Sequence, residues 1–113
     1  MKEIKAIIRP FKLDDVITAL HKIEGLPGIT ISKIQGFGKS KAKDAKDAIR
    51  DGLHDYVEKV KLELVVNNNI VAEVVDTIQK IAHTGNPGDG KIFVINVNST
   101  IKIRTNERGE EAI

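Results

Sequence analysis

Two stretches of this chain repeat one order of hydrophobic period, and that repeat restricts what it can fold into. In the first, Ile4, Ala6 and Ile8 alternate with Lys5, Ile7 and Arg9. A period of two over Lys2 to Arg9 marks a strand, which Pro10 stops. Leu13, Val16, Ile17 and Leu20 then share one helical face between Leu13 and Glu24. Asp14 and Asp15 suit the positive end of that helix's dipole. The turn Gly25-Leu26-Pro27-Gly28 leads to a second strand from Ile29 to about Phe37. In the second stretch Val60, Leu62, Leu64 and Val66 form one face of a strand, with Lys59, Lys61 and Glu63 opposite. Asn67-Asn68-Asn69 offers helix caps, and Val71, Val74, Val75 and Ile78 mark a helical stripe. Lys91 to Val97 is the last main strand, with Ile92 and Val94 on one face and Phe93, Ile95 and Val97 on the other.

Strand-helix-strand twice over predicts an α+β chain, the split βαβ (βαββαβ) ferredoxin-like arrangement. Two helices would cover one face of a four-stranded antiparallel sheet. The other face also carries apolar residues, Ile7 and Val65 among them, and needs covering. At 113 residues the chain fits a single domain, 1–113, with a limited core, so self-association is expected. Cysteine is absent, which excludes a disulfide scaffold, a thiolate zinc site and a catalytic thiol. The start, MKEIKAIIRPFK, has no apolar run long enough for a signal peptide, and no later run approaches a membrane span. A cytoplasmic protein is expected. The formal charge of +2 is small and the charges are mixed, unlike the clustered basic face of a nucleic-acid binder.

Three segments stand apart from the repeat. Thr84 to Phe93, TGNPGDGKIF, nearly matches a P-loop, but Ile92 replaces the required Ser or Thr and the loop joins a helix to a strand, the reverse of a P-loop. Its glycines would still let backbone N–H groups approach an anion, with Lys91 adding charge. Taken alone it also fits an ordinary helix-to-strand turn. A second glycine pair, Gly36-Phe37-Gly38-Lys39, ends the second strand. On the tail, Thr100 to Arg104 alternates, so Lys102 and Arg104 would point the same way from a short strand. The charged connection between the halves is long for a compact domain. Within it Ala45, Ala48, Ile49 and Leu53 would make a narrow apolar stripe if it became helical on a partner; free, it reads as a solvated loop. His21, His54 and His83 have no metal-site spacing, and no nucleophile stands with a base.

Together these segments resemble the PII nitrogen-regulatory signal-transduction family over nearly the whole chain. Lys5 to Val16 (KAIIRPFKLDDV) is similar to the family's opening, Gly36-Phe37-Gly38 to the start of its T-loop, and Lys59-Val60-Lys61-Leu62-Glu63 to the strand after it. Thr84 to Phe93 fits the B-loop signature, and Ile103-Arg104-Thr105 with Gly109 to Ile113 the C-loop and tail. The resemblance implies a T-loop at about 38–58, a B-loop at 84–90 and a C-terminal loop and tail at 98–113. It also implies a homotrimer that binds ATP or ADP in clefts between subunits and regulates a protein partner, without being an enzyme or inserting in a membrane. Gly88, Asp89, Gly90 and Lys91 would hold the phosphates, and Gly36, Phe37, Gly38 and Lys39 would wall the site. Glu63 would lie near the adenine or ribose, and Lys102 and Arg104 would reach a neighbouring subunit's site.

Members that sense 2-oxoglutarate carry a glutamine where this chain has Ser40; it helps hold a magnesium ion that bridges ATP and the oxoacid. Lys59, which would pair with the oxoacid carboxylate, is retained. Ser40 and Lys59 are thus the oxoacid positions, and magnesium is left open. Two other functions compete with a nitrogen regulator: a divergent regulator of another transporter, such as a metal-ion or bicarbonate system, and a slow ATP-hydrolysing enzyme.

Overall fold

The computed structural model describes residues 1–37 and 56–113. Four strands, β1 (Lys2–Ile8), β2 (Thr30–Gly36), β3 (Val57–Val66) and β4 (Lys91–Asn96), form one sheet in the order β2-β3-β1-β4. All three pairings are antiparallel. Helices α1 (Leu13–His21) and α2 (Val71–Ala82) follow β1 and β3. Their apolar stripes bury Val16, Leu20, Val74 and Ile78 in a common cluster with Ile4, Ala6 and Ile8 of β1 and the even-numbered residues of β3 from Val60 to Val66. The predicted ferredoxin-like repeat is the fold observed. Each large side chain in that cluster contributes about 1.5–3 kcal/mol by leaving water, which is what selects this register over one shifted by a residue.

Element ends differ from the expectation in three places. After His21 the chain tightens, with the Lys22 N–H bonding the Ala19 carbonyl and the Ile23 N–H the Leu20 carbonyl, 3.0 Å in the second case. Ile23 is thereby tucked into the core and the helix stops short of Glu24. The asparagine cluster does not cap α2 with side chains. Its backbone makes a single tight turn, Asn68–Ile70, and Asn68 instead accepts a hydrogen bond from the N-terminal ammonium of Met1 at 3.0 Å. The segment Thr100 to Arg104 is not a strand; its true form bears on the site and is described below.

The face of the sheet away from the helices carries half-buried Ile7, Ile34, Val57 and Val65, together with the exposed Phe93 and Ile95 of β4. The cross-strand partners place these side chains opposite the core set. This is the second apolar face expected from the alternation.

Candidate functional site

The residues 84–90 leave the end of α2 and enter β4. His83 is already extended, at φ −68° and ψ 130°, so the helix ends abruptly. The loop then turns back on itself through Gly85, Gly88 and Gly90, all at positive φ. Gly90 is the tightest of them. A Cβ there would lie 1.7 Å from the Ile7 carbonyl oxygen, and its φ of +97° strains any other residue.

An acidic side chain holds this loop from within. Asp89 accepts hydrogen bonds from the Thr84 hydroxyl, from the backbone N–H groups of Thr84 (2.8 Å) and Gly85 (2.9 Å), and from Arg9 Nε (3.0 Å). The same Thr84 oxygen accepts from the Asn86 N–H at 3.1 Å. Arg9 continues to the Pro87 carbonyl at 2.8 Å, and the Lys59 ammonium donates to the Gly88 carbonyl. The Thr84 hydroxyl first, then the Thr84 N–H, with Arg9 and Gly85 behind them, hold the Asp89 carboxyl well below the ordinary carboxylate range. Its charge is neutralised inside the loop, whereas Lys91 forms no ion pair among the described residues.

Strand register shows what else is near. Lys91 pairs with Ile7, Ile7 with Lys61 and Lys61 with Ser32, a single row across the sheet. At this same end β2 finishes at Gly36, opposite Val57. Phe37 and Tyr56, which flank residues 38–55, meet edge to face with ring centroids 6.3 Å apart. Glu63 lies two residues further along β3 on the open face, 3.5 Å from the Lys61 ammonium. The structure therefore brings Gly36, Phe37, Lys59, Gly88, Asp89, Gly90 and Lys91 to one end of the sheet, with Glu63 a row inward. Gly38, Lys39 and Ser40 lie outside the described residues.

Lys102 and Arg104 are elsewhere and in another conformation than expected. Thr100 to Gly109 is a hairpin: Ile101 bridges Arg108, the Lys102 N–H bonds the Glu107 carbonyl at 2.9 Å, and the Gly109 N–H bonds the Thr100 carbonyl at 2.9 Å. Asn106, at φ 64°, completes the reversal. Arg104 sits in the turn with its side chain exposed, and the Lys102 ammonium is 3.7 Å from the Glu107 carboxylate. The hairpin is anchored at Met1, whose carbonyl accepts from the Val97 N–H and whose sulfur accepts from the Thr100 hydroxyl. Met1 is at the far end of β1 from the glycine loop. β4 alone separates the two ends by about 17 Å.

Two participants escaped the sequence reading, Arg9 and Thr84. A signal for them existed: an aspartate among glycines beside a lysine must have its charge compensated if the loop is to face an anion.

The family profile described as "Nitrogen regulatory protein P-II" matches residues 1–107. Curated relatives include the "Nitrogen regulatory protein P-II" of Rhodospirillum rubrum, 48% identical over 113 residues. Another is the "Nitrogen regulatory protein P-II 1" of Escherichia coli K12, 47% identical over 113 residues. Each match spans all of both chains. Among solved structures, the crystal structure of Arabidopsis thaliana PII bound to citrate superposes with a TM-score of 0.79 at 42% identity, covering 99% of this chain and 91% of that one. The fold and the full-length matches are those of a signal-transduction regulator. This chain belongs to the nitrogen regulatory protein P-II family.

Proposed function

We propose that the chain assembles as a homotrimer in the cytoplasm, binds ATP or ADP between copies, and reports the nucleotide to a regulated protein through the segment 38–58. The observation that carries this reading is the separation of the two basic groups. The glycine loop with Lys91 sits at one end of the sheet, and the hairpin with Lys102 and Arg104 is anchored at the other. One copy does not join them, so a polyphosphate held by both sets must lie between copies. Gly88, Gly90 and Lys91 would meet the phosphates from one subunit, and Lys102 and Arg104 from its neighbour, with charge-assisted contacts from each. Asp89 would position this loop rather than touch phosphate, because its oxygens already accept from Thr84, Gly85 and Arg9. Gly36 and Phe37 would wall the cleft, together with Gly38 and Lys39, and Glu63 would face the nucleoside.

The apolar open face, with Phe93 and Ile95, supplies a surface for the copies to share. Among the described residues no group of three or more His, Asp or Glu gathers as a metal site. The names of the relatives favour nitrogen control over regulation of another transporter. Calorimetric titration with ATP tests the nucleotide reading. Lys91→Ala and Arg104→Ala should each lose a charge-assisted contact worth about 1.5–3 kcal/mol, roughly tenfold to a hundredfold in affinity. Unchanged affinity in both variants would discard these roles.

A further inference from the structure

On the helical side of the sheet, α1 and α2 leave a groove of about 420 Å³ between them, which reaches His83 at the start of the glycine loop. Ala19 and Ile81 are half-buried within it, while Lys12, Lys22 and Lys80 line it with Asp15 as the single carboxylate. Three lysines against one aspartate leave a local excess of positive charge. None of the three lysines forms an ion pair among the described residues. Asp15 stands three residues after Lys12 and Asp76 four before Lys80, but of the two only Asp15 lines the groove, so the three ammonium groups repel one another across a concavity with an apolar floor.

We infer that this groove is a docking site for an acidic amphipathic segment of a partner protein. It goes beyond the nucleotide reading and rests only on the family's role of regulating a partner. The groove is open, and the residues lining it offer ammonium groups and apolar surface, not a set of converging buried donors. That lining suits an extended polyanion with a greasy side better than a compact anion such as phosphate. A helix laid along it would press its apolar residues on Ala19 and Ile81 and set carboxylates against the lysines. Anionic membrane or nucleic acid fits less well. A bilayer calls for several projecting apolar residues, whereas one, Phe11, projects next to Lys12, and a nucleic acid calls for a longer basic track. Such docking would supply rate and orientation through charge, independently of the segment 38–58.

The test uses the full chain and a labelled amphipathic helical peptide with leucines on one face and glutamates on the other. Fluorescence anisotropy should show binding that weakens as salt rises. The variant K12E/K22E/K80E should lose about tenfold or more in affinity, and a peptide with glutamine for glutamate should bind the wild type no better than that variant binds the acidic one. ATP affinity and thermal unfolding, measured on the same variant, should stay unchanged. These readouts separate failure of this site from failure of the nucleotide site or of folding. Equal binding of the acidic peptide to both proteins, or no binding at low salt, overturns the proposal. So does displacement of the peptide by millimolar inorganic phosphate, or binding of phosphatidylserine vesicles in its place.

Discussion

Gly90 shows how one missing carbon holds a loop against a strand. Its positive φ and its approach to the Ile7 carbonyl leave no room for a side chain. Gly90→Ala should cost about 3 kcal/mol or more in urea-induced unfolding, from backbone strain and the clash together. Gly28→Ala is the matched control, since nothing lies within 4 Å of a Cβ there; its midpoint should hardly move. Asp89 carries a different kind of constraint. Its carboxyl is depressed in the folded state, so its contribution is present above the unfolded value of 3.8 and is lost as pH falls through the folded one. Asp89→Asn should therefore lower the melting temperature at neutral pH, and the gap to wild type should narrow as the solution is acidified below about pH 4. A gap that stayed constant across that range would mean the charge is not what holds the loop. The glycine loop was legible in the sequence because a sharp helix-to-strand turn needs residues that accept positive φ. Arg9 was not, because its work depends on a fold that brings β1 beside the loop across eighty positions of chain; Thr84 is only five residues from Asp89, but which hydroxyl the carboxylate takes depends on how the loop turns back.

At the scale of elements, the strands and helices were legible where one period ran unbroken. In β3 the alternation from Val60 to Val66 became the buried row without exception. The alternation of Ile101 and Ile103 with Lys102 and Arg104 predicts a short strand over Thr100 to Arg104; in the fold that stretch is one arm and the turn of a hairpin, and Ile103 is fully exposed. Alternation over so few residues does not distinguish a strand from the arm of a hairpin, and Asn106 is the residue that tips it, since asparagine tolerates the left-handed backbone. Residue type alone predicts caps from the asparagines before α2; in the fold a backbone turn bond from the Ile70 N–H to the Asn67 carbonyl leads into the helix, and the Asn68 side chain is taken up by the N-terminus. The segment 41–55 carries no Ser, Thr or Tyr. Tyr56 stands at its stem, its ring against Phe37. Uridylylation, adenylylation or phosphorylation within that segment therefore has no acceptor hydroxyl. Intact-mass measurement of protein from nitrogen-starved and nitrogen-replete cells should find no nucleotidyl or phosphoryl adduct there, and a stoichiometric one would contradict the expectation.

At the scale of the whole molecule, the half-covered sheet and the divided basic residues point to one assembly. Sedimentation equilibrium at micromolar concentration should give three times the chain mass of 12.4 kDa; a monomer alone would remove both the shared face and the shared cleft. The apolar second face was legible from alternation. The opposed placement of the lysine loop and the arginine hairpin was not, because it depends on which end of β1 receives each of them. In the proposed ring, with its nucleotide clefts between copies, that opposition makes defects in the two halves complementary. Copies carrying Lys91→Ala and copies carrying Arg104→Ala would each form rings in which every cleft is damaged. In any ring that mixes them, the junction where the second kind presents its loop to the first kind's hairpin is wholly native. Unfolding the two variants together and refolding them should thus restore high-affinity ATP binding to a fraction of the clefts, though neither variant has it alone. A gene bearing one lesion could, in the same way, be rescued by a second gene bearing the other.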